Sequence, residues 1–344
     1  MNFLKRLFGG KGARVKIAGS AGHDAPLDNL LERMLPAPWA EDAMCIDAHI
    51  REGRFQRSLS LMAGASSILA GLEVSYEHYK GSYGQKVMWA PVVLSGAMTG
   101  AGIWGFFDKW AARTVLRYAS ALTLLDSLIG FCFHVRGIAR KPGGWRLPVT
   151  NIIMGPPIFA PLLFGVSAYL GLIASFLRPE EAPEVIDITP GKKRNVFSLL
   201  FGHSSPPWGT SLGEGRYQKH LAVATILSAF FSGFEALYSH YKTNFKYKAQ
   251  WTPVIIAPLL MLAAALSIRS PRAARTILPV MSVAAIVDGG IGFYYHVRGV
   301  FKRPGGQKNL FYNVLYGPPI FAPLLFAACG VIGLLACLMR RERR

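Results

Sequence analysis

The feature that most constrains this chain is that it matches itself. Shifted by about 162 residues, the stretch from Leu59 to Arg178 aligns without gaps on a later stretch, with roughly 45 of about 120 positions identical, far more than chance gives. Whatever the first half folds into, the second half is expected to fold into again. The matches concentrate in four blocks. Gly71-x-Glu73-x-x-Tyr76-x-His78-Tyr79-Lys80 recurs as Gly233-x-Glu235-x-x-Tyr238-x-His240-Tyr241-Lys242. Trp89-x-Pro91 recurs as Trp251-x-Pro253. The block from Asp126 through Gly130, His134, Arg136 and Gly137 to Pro142-Gly143-Gly144 recurs from Asp288 through Gly292, His296, Arg298 and Gly299 to Pro304-Gly305-Gly306. Asn151 with the run Gly155 to Phe164 recurs as Asn313 with Gly317 to Phe326.

The repeated unit is apolar in blocks. Leu59 to Tyr76, Trp89 to Phe107, Leu116 to Phe133 and Ile152 to Leu177 are each close to the roughly 20 residues that cross a bilayer. Four matching runs follow at Leu221 to Tyr238, Trp251 to Ile268, Ile277 to Tyr295 and Val314 to Met339. A hydrophobic content of 51% with only 17% charged residues belongs to the same class. The expectation is an all-α integral membrane protein with about eight transmembrane helices. An even number of spans per unit makes the copies parallel repeats, with corresponding residues at one depth.

The expected organisation is a cytoplasmic N-terminal segment at 1–57, a first four-helix repeat at 58–178, a polar linker at 179–219, a second repeat at 220–340 and a basic tail at 341–344. A short helix is read at Pro26 to Leu35. Asn2 to Gly9 and Asn195 to Gly202 read either as short amphipathic surface segments or as flexible tail. The net charge of +19 sits in loops and tails beside apolar runs, where it meets anionic lipid headgroups; no nucleic-acid partner is expected. About 25 Lys and Arg lie on the side of the termini against about 13 on the side of His78 and His134, which favours cytoplasmic termini in a bacterial-type inner membrane. No secretory signal peptide is read near Met1, because the apolar stretch there is too short. Cys45, Cys132, Cys329 and Cys337 lack close spacing and repeat partners, so they read as packing residues.

Four of the eight histidines form two equivalent pairs, His78 with His134 and His240 with His296. Each pair ends two spans that run in the same direction, so its imidazoles reach one side of the membrane at similar depth. That is the arrangement of a bis-histidine b-type haem inside a four-helix bundle. Gly71 and Gly130, and their counterparts Gly233 and Gly292, lie on nearly the same helical faces as the histidines and would admit a flat macrocycle. Arg136 and Arg298, with Arg140, Lys141, Lys302 and Arg303 beyond, would pair with propionates. The alternative is interfacial histidines and snorkelling arginines that cap helices. Covalent haem attachment is excluded by the absence of Cys-x-x-Cys-His.

Glu73, Asp126, Glu235 and Asp288 compete with the histidines for a role, since an intramembrane carboxylate costs several kcal/mol and needs a stabilising partner. They could relay protons, bind a quinone head group, join the histidines in a non-haem metal site, or stand protonated and hydrogen-bond neighbouring helices. Gly-Pro-Pro-x-Phe-Ala-Pro opens each fourth span. Pro161 and Pro323, four residues in, would kink it, and Phe159 and Phe321 could flank a quinone or haem edge. Trp89 and Trp251 read as interfacial anchors.

Histidine-ligated haem in duplicated four-helix halves resembles the general plan of haem A synthases and other membrane b cytochromes, a likeness of architecture that no shared sequence motif carries. It implies a membrane electron-transfer subunit with up to two b haems, exchanging electrons between a partner oxidoreductase and quinone. His78 and His134 would ligate one iron, His240 and His296 the other, and other subunits of a membrane complex would supply the substrate chemistry. The rival readings are a proton-coupled transporter or channel using Glu73, Asp126, Glu235 and Asp288, and a scaffold subunit whose histidines bind nothing.

Overall fold

The computed structural model describes residues 36–182 and 212–339. The helix expected at Pro26 to Leu35, the two surface segments, most of the linker and the basic tail lie outside them. Within them the protein is helical, and a β-bridge joins Arg54 and Arg178. A helix not anticipated from sequence comes first, α1 (Ala37–Arg51), entered through Pro36 with Pro38 in its first turn. Then follow α2 (Gln56–Lys80), α3 (Ala90–Phe107), the short α4 (Lys109–Arg113), α5 (Val115–Ala139), the short α6 (Pro148–Ile153) and α7 (Ala160–Phe176). The second half repeats the series as α8 (Gln218–Tyr241), α9 (Thr252–Arg269), α10 (Pro271–Arg275), α11 (Ile277–Phe301), α12 (Leu310–Tyr316) and α13 (Ala322–Leu338).

Six helical stretches, Gln56–Lys80, Lys86–Phe107, Lys109–Ala139, Gln218–Tyr241, Lys248–Arg269 and Pro271–Phe301, are long and apolar enough to cross a membrane. Their outer faces are unsheltered hydrophobic ladders. On α5 these are Tyr118, Leu122, Leu125, Ile129 and Phe133; on α11, Val280, Val283, Val287, Ile291 and Tyr294. A soluble surface does not carry such a belt, and contact with lipid accounts for it. The inner faces are small and often hydroxylated instead: Leu116, Ser120, Thr123 and Ser127 on α5 are buried. Ser120 and Ser127 lie against Gly171 and Gly165 of α7, so the two backbones approach closely. Several of the buried hydroxyls return their hydrogen to a carbonyl three or four residues back, as Ser127 does to Thr123 at 2.8 Å.

The fourth apolar run of each half departs from expectation. It is not one helix but two, broken at 154–159 and at 317–321. Two consecutive prolines remove two N–H donors and hold the residues before them out of the helical region, so the chain stops at Gly-Pro-Pro and restarts at Ala160 and Ala322. Pro161 and Pro323 then occupy a first turn and kink nothing. At about 1.5 Å per residue, the 17 residues of α7 and of α13 reach only about 25 Å.

In the first half α2, α3, α5 and α7 form a ring, each packed on the next and α7 closing on α2; α8, α9, α11 and α13 do the same in the second. The halves meet through α2 with α13 and α7 with α8. Histidine-bearing α2 and α5 therefore stand diagonally across their ring, as do α8 and α11. At the ring's end the Pro-Gly-Gly turn uses two consecutive left-handed glycines, Gly143 and Gly144 at φ 79° and 45°, and Gly305 and Gly306 at 80° and 48°. The buried Asn151 amide ties this turn down by donating to the carbonyls of Pro142 (3.1 Å) and Gly144 (2.7 Å); Asn313 does the same for Pro304 (3.2 Å) and Gly306 (3.1 Å). Asn151→Ala is expected to cost about 1–3 kcal/mol and to lower the thermal unfolding midpoint in detergent. An unchanged midpoint would mean that the glycines alone hold the turn.

Candidate functional site

The four paired histidines occupy equivalent environments in the two halves. His78, near the end of α2, turns its Nδ1 to the carbonyl of Met88 at 2.8 Å, and His240 turns its Nδ1 to that of Gln250 at 2.8 Å. His134 and His296 address the carbonyls of Pro157 and Pro319, both at 2.5 Å, within the breaks before α7 and α13. A carbonyl can only accept, so Nδ1 carries the hydrogen and Nε2 is left with the lone pair. Asp126 and His134 both lie within electrostatic reach of His78, and Asp288 and His296 within that of His240, so each ring brings one carboxyl group and two imidazoles into one neighbourhood.

Above His78 the chain turns through two left-handed residues that are not glycine, Ser82 (φ 57°) and Tyr83 (44°), matched by Asn244 (52°) and Phe245 (47°). Such backbone costs about 1–3 kcal/mol per residue and must be held. The rings hold it. Tyr83 stacks on Trp89 at 4.1 Å and meets His78 edge-on at 6.1 Å; Phe245 stacks on Trp251 at 4.0 Å and meets His240 at 6.1 Å. The tryptophans read as membrane anchors thus also clamp the cover over a histidine.

The glycines expected to admit a macrocycle face neighbouring helices. A side chain at Gly71 would fall on Ser95, at Gly130 on Pro161, at Gly233 on Ala257 and at Gly292 on Pro323. Their clearance serves close packing of α2 on α3 and α5 on α7, and of the equivalent pairs. Arg136 and Arg298 are exposed, and their side chains bond to no described residue; Arg136 lies on the outer face of α5 beside Ile129, Cys132 and Phe133. Among the described residues no three His, Cys, Asp or Glu side chains come close enough together to hold a metal ion.

Glu73 and Glu235 leave their own rings. Glu235 on α8 accepts from the backbone N–H of Phe159 at 2.9 Å, at the start of α7 in the other half. Glu73 on α2 accepts from the N–H of Phe321 at 3.4 Å, at the start of α13. Each also binds the phenol three residues on, Tyr76 or Tyr238. A carboxylate at a helix N-terminus meets unpaired N–H groups and the positive end of the helix dipole, so each acid is stabilised where lipid alone would reject it. Lys80 lies over the Tyr76 ring at 5.0 Å and Lys242 over that of Tyr238 at 4.9 Å. Two columns of Lys, Tyr, Glu and helix N-terminus therefore line the seam between the halves.

The duplication extends further upstream than the matched blocks. Glu52-Gly53-Arg54-Phe55-Gln56 is answered by Glu214-Gly215-Arg216-Tyr217-Gln218 at the same offset. Both glycines are left-handed, at φ 70° and 73°, and the turns abut: Gly53 against Leu212 and Gly213, Gly215 against Arg51. Nearby on α1, burial pushes the Cys45 thiol up and the His49 imidazole down, so both stand neutral, an inert pair rather than a nucleophile and its base.

In comparison with known proteins, the chain matches no family model, no curated protein and no solved structure.

Proposed function

We propose that this protein is a proton-coupled transporter or channel of eight transmembrane helices, two parallel four-helix repeats in a bacterial-type inner membrane with both termini in the cytoplasm. The observation that carries the reading is the reciprocal capping across the seam, Glu73 on the start of α13 and Glu235 on the start of α7. A proton on either carboxylate removes the charge that the helix end attracts and weakens a contact between the halves. Proton occupancy is thereby coupled to the relative placement of two bundles, the coupling that alternating access by rocking repeats requires. Broken helices whose backbone groups are taken up by side chains, here the Pro157 and Pro319 carbonyls by histidines and the Phe159 and Phe321 N–H groups by glutamates, belong to the same design. In each ring Asp126 or Asp288, with its two histidines, offers a second proton-holding group whose only basic ring atom is Nε2.

A specific observation also favours the electron-transfer reading. Histidines that ligate a metal characteristically donate the other ring N–H to a carbonyl, and all four do so here. Against haem stands the packing at Gly71, Gly130, Gly233 and Gly292, where neighbouring side chains fill the space a porphyrin needs.

The test is proton entry into proteoliposomes loaded with a pH-sensitive dye under a valinomycin-set potential. Glu73→Gln with Glu235→Gln is expected to slow it by about tenfold or more. Wild-type flux no faster than that of protein-free vesicles would overturn the proposal. A reduced-minus-oxidised spectrum on the same preparation separates the second reading: six-coordinate b haem bands lost in His78→Ala would establish it.

A further inference from the structure

The two glutamate columns are duplicates, yet they do not meet water in the same way. One turn beyond Glu73 on the same face of α2 stands Glu77, and the equivalent position on α8 is Ser239. Residues four apart on a helix are neighbours, with Cβ atoms about 5–6 Å apart. The Glu77 side chain is 40% exposed and pairs with Lys80 at 2.7 Å, so it touches solvent at the mouth of the seam. Its charge also acts on Glu73 below it and on Tyr238 and Lys242 of α8 across the seam. The groups facing Glu73 are Tyr76, Glu77, Lys80 and the Phe321 N–H of α13. Among the described residues Glu73 thus has a carboxylate of its own helix between itself and water, and Glu235 has none on its own helix.

The caps differ as well. The Glu235 joint is sealed by rings: Phe159 lies at 4.9 Å from Phe231, 5.2 Å from Phe234, 5.5 Å from Phe230 and 6.0 Å from Phe131. In the first half the positions equivalent to Phe230, Phe231 and Phe234 are Ile68, Leu69 and Leu72, and the Glu73 contact is longer, 3.4 Å against 2.9 Å.

We infer that Glu77 is the proton-collecting residue of the seam, taking a proton from water and passing it to Glu73, which exchanges protons while Glu235 holds the halves together. The step is a transfer between carboxylates: Glu77 gains a proton from bulk water, then loses it to Glu73, and no electron moves. The inference rests on the proton-transport reading and sharpens it to one of two duplicated paths.

Glu77→Ser, which copies the residue at Ser239, tests it in the same proteoliposomes. Proton entry is expected to fall about three- to tenfold at low buffer concentration. It should recover when an impermeant buffer is raised outside to deliver protons to the mouth directly, and recover also in Glu77→Asp. Glu73→Gln should be slow and stay slow at every buffer concentration. Wild-type rates in Glu77→Ser alongside a dead Glu73→Gln would sink this inference and leave transport standing. A loss in Glu77→Ser that neither buffer nor Glu77→Asp restores would make Glu77 a structural partner of Lys80, and the inference fails. A wild type that moves no protons overturns both.

Discussion

Gly102→Leu is expected to leave no folded protein, whereas Gly100→Leu, two residues away on the same helix, is expected to behave as wild type. A Cβ at Gly102 would lie 2.6 Å from the carbonyl oxygen of Ser60 and 2.8 and 2.9 Å from the Cα and N of Gly64. All three are backbone atoms of α2 and cannot swing aside as a side chain would. Admitting a leucine means parting α2 from α3 where they cross, and with them the hydroxyl contacts beside the crossing, such as Thr99 to the Gly64 carbonyl at 3.2 Å. The expected loss, beyond about 4 kcal/mol, takes up much of the roughly 5–15 kcal/mol by which a folded protein is stable. Nothing lies within 4 Å of a Cβ at Gly100. Size-exclusion profiles of fluorescent fusions in detergent check both: a monodisperse Gly102→Leu would show that the crossing can open.

The second large effect is expected at Glu180, which lies beyond the end of α7 and is 4% exposed. Its two carboxylate oxygens accept from the backbone N–H groups of Arg57 (3.0 Å) and Ser58 (2.8 Å), capping the first turn of α2 from a distant part of the chain. The surroundings are tied to the same place. Arg54 reaches the Ala182 carbonyl at 3.3 Å, Gln56 donates to the Leu177 carbonyl at 2.8 Å, and Arg178 N–H donates to Gly53 at 2.7 Å. Glu180→Ala strands two N–H groups in a buried clasp and removes a charge from a helix N-terminus, a cost of about 2–4 kcal/mol. Glu180→Gln, which keeps one acceptor oxygen, is expected to lose less. Thermal unfolding of the two variants in detergent decides; equal midpoints for Glu180→Ala and wild type would mean that α2 starts without this cap.

The long apolar runs were legible because burial in lipid needs only length and hydropathy, and α2, α3, α5 and their counterparts lie where those runs lie. Gly-Pro-Pro reads as the opening of each fourth span and Pro161 and Pro323 as kinks within it, because the apolar run continues through the prolines without pause; the helix instead breaks there and restarts at Ala160 and Ala322. No helix is read from the sequence at α1; its two prolines, Pro36 and Pro38, sit at the entry, where they do not interrupt a helix. The repeated Glu-Gly-Arg turn needed only a longer self-comparison. The histidines were legible as two equivalent pairs because His78 and His134 recur as His240 and His296 at one offset. The destinations of Glu73 and Glu235 were not, because hydropathy and helical phase speak only of a helix's own neighbours, and their partners lie 248 and 76 residues away in sequence.

Crossed capping also ties the histories of the two halves together. Each half lends a side chain to finish a helix that it does not contain, so a change at Glu73 must be answered at the start of α13, and one at Glu235 at the start of α7. Drift in one copy is therefore felt first in the other. In related sequences, substitutions should arrive in exchanged pairs, Glu73 with the Phe321 region and Glu235 with the Phe159 region, rather than in pairs confined to one repeat.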